Sequence, residues 1–292
     1  MLDPSPSPPS PPSSSLRLGT FNVGLGFQRK LPLLLARAAA LSLDAIAVQE
    51  IGDPALLSTR FPPYVLTYAA GPSHHEAGVG LLLSLALVPR IRSYRRSRTG
   101  RLIGAVLELR KGHQLLLVSA YMPTGLDHRA AASPQHELAH QLYAELLQWS
   151  VGMQQVVLMG DLNETLTSFD RLPRPAAASA ASAAAAAPTP IQCLVREGFS
   201  DVYRTLHPCA SRQPGFTHAI LGARPVQSRL DYLWCKGVGR GELLQAHVDT
   251  KLHALSHHHL LWMELQLRHA PPVRESRQGV GMLSVCVWGV SE

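Results

Sequence analysis

Short apolar runs that alternate with helix-like stretches restrict this chain to a mixed α/β fold. Strand-like runs occupy 16–23, 44–50, 78–88, 102–109, 114–121, 156–161, 229–235, 242–249 and 260–267. Apolar residues recur at helical spacing in 30–43 and 134–149, and a short helix is expected near 191–197. Many short strands with few helices predict two packed mixed β-sheets flanked by helices, in one domain.

Both ends of the chain and one internal stretch differ in composition from the rest. Residues 1–15 form a Pro/Ser tract with little to bury, which predicts a disordered tail. Alanines and serines between prolines in 173–190 predict a low-complexity surface insertion. The pattern breaks in 270–292, where we expect an irregular C-terminal tail, so the domain is predicted to span 16–269.

The charge balance favours a polyanionic partner without requiring one. The chain has 27 Lys and Arg against 20 Asp and Glu, a net charge of +7, and nearly all of the basic residues are arginines. The planar guanidinium of arginine suits bidentate contact with phosphate, although arginine and alanine enrichment also follows from a GC-rich coding sequence. The run RIRSYRRSRTGR (90–101) is open to the same two interpretations: DNA phosphate contacts, or a solvated hairpin between strands.

The cysteines and the N-terminus predict a compartment. The four cysteines, at 193, 209, 235 and 286, form no CxxC pair, which argues against a zinc ribbon or a disulfide scaffold and for a reducing environment. The sequence shows neither a signal peptide nor an apolar run of the ~18 residues needed to span a membrane. We expect a soluble intracellular protein that is not secreted, and a nuclear one if its substrate is DNA.

Polar residues stand where several of the strand-like runs end. They are Asn22, Glu50, Tyr121, Asp161 with Asn163, and Asp231, and a histidine run at 257–259 follows. Strand ends that open onto one sheet edge gather ligand sites, because loops there are free of packing in the core. Carboxylate and amide oxygens suit Mg²⁺, and such an ion stabilises the leaving oxygen in phosphoryl transfer.

Each of these residues taken alone also fits an ordinary structural role. Asp231 is compatible with a turn cap, Glu50 with a solvated strand end, and Tyr121 with core packing. The histidine run is compatible with a surface patch. The GDLN segment (160–163) is more specific, because Gly-Asp-x-Asn is an unusual way to end an apolar strand. The order and spacing of the whole set favour a catalytic site.

Six segments resemble motifs of the endonuclease/exonuclease/phosphatase family: FNV (21–23), VQE (48–50), AYMPTG (120–125), GDLNE (160–164), SRLDYLW (228–234) and LSHHHLLWMEL (255–265). The resemblance extends from Leu16 to about Leu267. Within the family, the motifs are most similar to those of AP endonucleases and of LINE-type retrotransposon endonuclease domains. The resemblance implies a four-layer α/β sandwich of the deoxyribonuclease I type and a metal-dependent phosphodiester hydrolase, expected to be a DNA endonuclease.

The resemblance also implies roles for the polar residues at the strand ends. Glu50 matches the main ligand of Mg²⁺, with Mn²⁺ as an alternative ion, and Asn22 matches a residue that helps to arrange the metal site. Tyr121 matches the residue that contacts the scissile phosphate. Asp161, held with Asn163, matches the residue that activates or orients the attacking water.

Two further residues match the family pattern, and three positions depart from it. His258 matches the catalytic histidine beside the phosphoryl group, and Asp231 matches the residue that orients it or assists the metal. His257 stands where the family has Asp, Thr124 where it has Asn, and Gly24 where some AP endonucleases have an acidic residue. Because imidazole is a poor ligand for Mg²⁺, we expect His257 to reduce activity.

Three functions remain open at this stage. The basic charge and SRLDYLW favour a DNA endonuclease that contacts the phosphate backbone and has no membrane partner, and its protein partners are unknown from the sequence. The second is an inositol-phosphate or phospholipid phosphatase of the same fold, which often has a membrane-facing apolar hairpin that the sequence does not reveal. The third, kept open by His257, is a catalytically decayed relative that binds nucleic acid.

Overall fold

The computed structural model describes residues 15–53, 59–72, 77–110, 112–126, 133–173, 189–209, 211–222 and 225–267. The predicted Pro/Ser tail up to residue 14, the greater part of the Ala-rich insertion (174–188) and the predicted C-terminal tail lie outside the described residues. None of the helices in the described ranges is both long and apolar enough to cross a membrane.

The strands and helices follow one another in an order close to the predicted one. The strands are β1 (Ser15–Asn22), β2 (Ala45–Gln49), β3 (Arg60–Phe61), β4 (Tyr64–Ala69), β5 (Val79–Ser84), β6 (Ile91–Arg96), β7 (Leu102–Arg110), β8 (His113–Tyr121), β9 (Gln155–Asp161), β10 (Arg171–Leu172), β11 (Ser200–Asp201), β12 (His218–Ile220), β13 (Val226–Ser228), β14 (Asp231–Lys236), β15 (Leu243–Asp249) and β16 (Leu260–Gln266). The α-helices are α1 (Phe27–Ala40), α2 (Pro134–Ser150), α3 (Gln192–Arg196) and α4 (Val202–Leu206).

Two large mixed sheets and one small sheet organise these strands. The first large sheet has the order β15-β16-β1-β2-β5-β4-β3, and the second has the order β11-β14-β9-β8-β7-β6. Each contains one parallel pair, β1–β2 or β8–β9, whose strands are connected through α1 or α2. The small sheet, β10-β13-β12, lies outside both.

Alternating side chains divide each central strand between two cores. In β9, Val157 and Met159 face the core between the two large sheets, while Val156 and Leu158 face the core beneath α2. On the other sheet, α1 covers the outer core, to which it contributes Leu34. The layers are therefore helix, sheet, sheet and helix, which confirms the predicted four-layer α/β sandwich.

The first helix differs from its predicted bounds of 30–43. It begins at Phe27, because Gly26, with φ 68°, turns the chain into the helix and Phe27 is buried in the core. It ends earlier because Ser42, with φ 52°, has left-handed backbone that a helix does not continue through.

The arginine run at 90–101 forms a strand and the turn of a hairpin, as one of the two interpretations of the sequence expected, but its arginines are not merely solvated. It contains the edge strand β6, and its arginines contact the protein: Arg95 donates to the carbonyl of Trp149, and Arg96 donates to the carbonyl of Tyr68 at 2.9 Å. Arg92 pairs with Glu108 on the neighbouring strand. Charged residues on an edge strand oppose pairing with another chain, so a structural role accounts for these three arginines.

Candidate active site

Three of the polar residues lie side by side at one end of the second large sheet. Tyr121 pairs with Asp161 across the parallel strands β8 and β9, and Asp231 pairs with Asp161 across the antiparallel strands β9 and β14. Residues in register on neighbouring strands project their side chains to the same face. Here it is the face toward the other large sheet, so the three side chains cap the core between the sheets with polar groups.

The first large sheet contributes Asn22 and Glu50 to the same place. Asn22 ends β1, and Glu50 directly follows β2 with φ 56°. Nδ2 of Asn22 donates hydrogen bonds to Oε1 of Glu50 at 2.9 Å and to Oδ2 of Asp161 at 2.8 Å. Fully buried Asn22 therefore connects the two sheets at the level of the carboxylates.

One oxygen of Glu50 is fixed and the other is open. Oε1 accepts from Asn22 and also from the hydroxyl of Tyr121 at 3.0 Å, while Oε2 accepts no hydrogen bond from the described residues. Burial and the neighbouring carboxylate of Glu50 raise the pKa of Tyr121 far above its usual value, so its hydroxyl remains a donor.

His258 lies between two carboxylates. Its Nδ1 donates to Oδ2 of Asp231 at 2.8 Å, and its Nε2 is 3.8 Å from Oδ2 of Asp161. Burial opposes protonation of the ring, but the charges of Asp231 and Asp161 outweigh it and raise the pKa of His258 to about 9. Burial also raises the pKa of Asp161, an effect that positively charged His258 opposes. At neutral pH, His258 is therefore an imidazolium.

Asn163 holds Asp161 through its main chain. Its backbone N–H donates to Oδ1 of Asp161 at 2.9 Å, and its side-chain amide donates to the carbonyl of Met122 at 2.9 Å. The structure thus brings together all seven residues chosen from the sequence: Asn22, Glu50, Tyr121, Asp161, Asn163, Asp231 and His258.

A cleft of about 440 Å³ opens beside this network. Glu50, His257 and His258 line it, together with Gly24 and Lys30. Lys30 donates from Nζ to the carbonyl of Gly24 at 3.0 Å and adds a positive charge that the sequence motifs did not indicate. Of the three departures from the family pattern, Gly24 and His257 therefore lie in the cleft, whereas Thr124 is not among the residues that line it.

The cleft also contains His218, which sequence reasoning missed. It belongs to β12, a strand of only three residues, too short to produce an alternating pattern. Its ring centroid lies 4.7 Å from that of His258. A lone histidine in a loop-like stretch gave no signal by itself.

The donor atoms in the described part of the chain fit a hard divalent cation. Carboxylate oxygens of Asp161 and Asp231 lie within 4.8 Å of each other, and Oδ1 of Asp231 is buried with no hydrogen-bond partner. Glu50 adds its open carboxylate oxygen, of the kind that Mg²⁺ and Mn²⁺ prefer. The oxygen of Asn22 accepts from the N–H of Gly24 at 2.8 Å, which suits a residue that arranges Glu50.

Comparison with known proteins places these features in a family. Residues 19–251 match the Endonuclease/Exonuclease/phosphatase family. No curated protein matches the chain.

Several solved structures share the fold at low sequence identity. The AP endonuclease LMAP from Leishmania major has a TM-score of 0.66 and 16% identity over 86% of this chain and 88% of that one. The 3′ phosphatase NExo from Neisseria, solved with a product DNA hairpin, has a TM-score of 0.63 and 18% identity over 86% and 99%. The endonuclease domain of TRAS1, a telomere-specific non-LTR retrotransposon, has a TM-score of 0.58 and 14% identity over 87% and 100%.

Proposed function

The chain belongs to the endonuclease/exonuclease/phosphatase family, and on that premise we propose that it is a divalent-metal-dependent phosphodiesterase that cuts DNA. The observation that carries the proposal is the network in which Asn22 joins the Glu50 carboxylate to Asp161, beside His258. Support for DNA as the substrate comes from the similar fold of NExo, which was solved with a DNA product.

Asp161 is suited to receive a proton from an attacking water. Its two oxygens are fixed by Asn22 and by the backbone of Asn163, so the carboxylate is held in one orientation. Its raised pKa makes it a stronger base than an ordinary aspartate once it is ionised. A positioned base of this kind typically accelerates a reaction by ~10²–10⁴-fold.

His258 is suited to bind the phosphoryl group. The hydrogen bond to Asp231 occupies Nδ1 of His258, so Nε2–H is the donor available to a phosphoryl oxygen, where negative charge builds up during the reaction. The hydroxyl hydrogen of Tyr121 is donated to Oε1 of Glu50, so Tyr121 is suited to orient that carboxylate. A divalent cation held by Glu50 would supply Lewis-acid stabilisation of the leaving oxygen.

Nicking of supercoiled plasmid DNA tests the proposal. We expect native protein to nick in the presence of Mg²⁺ or Mn²⁺ and to stop when EDTA removes the ion. Glu50→Gln keeps the shape of the side chain but removes its charge, and we expect it to lose at least about 100-fold in rate. The matched control is Glu197→Gln, at an exposed position beyond α3, which is expected to nick like the native protein.

The outcome separates the three functions left open by the sequence. A Glu50→Gln variant as fast as the native protein would contradict the proposed metal site. Native protein that binds DNA without cutting it, while His257→Asp cuts, would support the decayed relative.

A phosphatase acting on inositol phosphates or phospholipids is a second candidate, which two exposed apolar residues on one hairpin favour. Strands β12 and β13 form the hairpin, and within its described residues Ile220 and Leu221 are 46% and 83% exposed. Contiguous exposed apolar patches mark membrane contacts as well as protein contacts. Release of phosphate or headgroup from phosphorylated inositols and lipid vesicles, without plasmid nicking, would favour this candidate.

A further inference from the structure

The main chain fixes His218 directly opposite His258. The N–H of Ala219 donates to the carbonyl of His257 at 2.9 Å, and the N–H of His259 donates to the carbonyl of Thr217 at 2.6 Å. These two bonds flank the antiparallel bridge between His218 and His258. The two imidazoles therefore come together through backbone pairing, which holds them at a fixed separation.

The two nitrogens of His218 have different surroundings. Nδ1 is buried and has no hydrogen-bond partner. Nε2 makes no hydrogen bond to the residues that the structure describes; it is absent from the buried, unpaired atoms, and the residue lines the cleft. An unpaired buried N–H is costly, so the favoured tautomer carries its hydrogen on Nε2. This leaves one N–H donor directed at the cleft.

The charge state of His218 differs from that of its neighbour. Burial and the positive charge of His258 lower the pKa of His218 to about 4. His218 is therefore neutral at physiological pH, while His258 is an imidazolium. Unlike a second cation, a neutral donor can stand 4.7 Å from the charged ring without repelling it.

The balance of charges in the cleft favours an anion with several oxygens. Lys30 and His258 contribute positive charge, and Glu50 is the carboxylate among the lining residues. A phosphoryl group offers separate non-bridging oxygens to separate donors. The cleft therefore presents two imidazole donors that can each bind a different oxygen of one group.

We propose that His218 is a further catalytic residue, whose Nε2–H donates to a non-bridging oxygen of the substrate phosphoryl group adjacent to the oxygen bound by His258. This inference rests on the proposed function, because it takes the phosphoryl group as the reacting part of the substrate. It adds a second N–H donor to the cleft wall beside His258.

Replacement of the ring tests the proposal in two assays. His218→Phe keeps an aromatic ring against His258 but has no N–H, whereas His218→Gln keeps an amide donor near the position of Nε2. The matched control is His140→Phe, since His140 is an exposed histidine of α2 and is not among the residues that line the cleft. The affinity for inorganic phosphate is measured from the ring-proton shifts of His258, and plasmid nicking gives kcat and KM.

We expect His218→Phe to weaken phosphate binding and to lower kcat/KM by roughly 10- to 100-fold, the effect of losing one hydrogen bond to a charged group. His218→Gln should recover part of the loss, and His140→Phe should behave like the native protein. Thermal melting checks that each variant is folded. If His218→Phe does not fold, His218→Asn replaces it, because asparagine is too short to place a donor at the position of Nε2.

Two results would overturn the inference. The first is a folded variant that lacks the Nε2 donor but binds phosphate and nicks DNA like the native protein. The second is an equal loss of phosphate affinity and kcat/KM in His218→Gln and His218→Phe. The phosphate assay does not depend on cutting. Phosphate binding that requires His218 in a protein that cuts no DNA would contradict the proposed function alone. Nicking that requires Glu50 but not His218 would contradict this inference alone.

Discussion

Nδ1 of His258 lies 2.8 Å from Oδ2 of Asp231, and both side chains are buried. This hydrogen bond orients the imidazole so that Nε2 is directed toward Asp161 and the cleft. The carboxylate also makes the largest contribution that favours the charged form of the ring. Asp231 therefore orients the ring of His258 and contributes most to its positive charge.

Asp231→Asn should lower the pKa of His258 from about 9 toward its ordinary value, because the amide keeps the shape but not the charge of the carboxylate. Nicking should fall by ~10²–10⁴-fold. NMR titration of the His258 ring proton measures the first effect. Asp44→Asn, at the opposite end of β2 from Glu50, is the control and should leave the titration unchanged. An unaltered pKa in Asp231→Asn would refute the assignment of its cause.

The same pair should make stability depend on pH in the alkaline range. The folded-state pKa of His258 is raised above its unfolded value of ~6.5, so the stabilisation is complete below that value and is lost as the pH rises through about 9. Urea unfolding between pH 6 and 10 should show the free energy of unfolding of native protein decreasing more steeply than that of Asp231→Asn. Parallel curves for the two proteins would argue against this linkage.

His257→Asp should increase activity at low metal concentration. It adds a second carboxylate to a cleft in which Glu50 supplies one, and Mg²⁺ sites in proteins commonly use one or two carboxylates. We expect at least a ~10-fold lower Mg²⁺ concentration for half-maximal nicking, equivalent to about 1.4 kcal/mol of metal binding. His253→Asp adds the same charge elsewhere on the cleft wall, and an equal gain there would show that the effect is not specific to position 257.

Arg229→Met should destabilise the protein by ~3–5 kcal/mol, because it removes the buried positive charge that pairs with two buried carboxylates. The Arg229 guanidinium is 1% exposed and pairs with Asp170 at 2.9 Å and Asp201 at 2.6 Å. Urea unfolding measures the loss. Arg92→Met removes an exposed ion pair on β6 and should change stability little, as is usual for surface pairs. Similar losses in both variants would mean that burial does not determine the effect.

Gly160→Ala should separate β8 from β9 just before Tyr121 and Asp161. A Cβ at position 160 would lie 2.0 Å from the carbonyl oxygen of Ala120, a main-chain atom that cannot move without shifting the strand. We expect a loss of about 1–3 kcal/mol or more in stability, together with reduced nicking. Gly104→Ala, in β7 of the same sheet, would meet only side-chain atoms of Leu116 and Trp149 and should be tolerated better.

The chain order of the strands follows from the sequence because the central strands are continuously apolar and end on polar residues, whereas the four-layer fold and the family were implied by the resemblance of the motifs. Asn22, Tyr121, Asp161 and Asp231 occupy the last or first positions of strands that face the core between the sheets, so the pattern that predicts the strands also locates these residues. Their catalytic roles remain predictions.

Features that depend on pairing between distant segments could not be predicted. His218 reaches the cleft only because β12 pairs with 257–259, a contact between segments about forty residues apart. Strand β6 escaped recognition because an edge strand is solvated and its run of arginines resembles a loop. In both cases the partner, and not the local sequence, determines the structure.

Tyr121, Asp161 and Asp231 share one register across three strands. Their positions in the site therefore do not depend on how far apart they lie in the sequence. They depend on which face of the sheet each side chain occupies. A single-residue deletion inside β9 would turn Asp161 toward the helix-covered side, and the site would be lost without replacement of any of its residues. The segments that join these strands are under no such constraint, because lengthening a surface loop costs little. Descendants of such a scaffold are therefore free to acquire new substrates through their loops while the reacting atoms keep the same spacing.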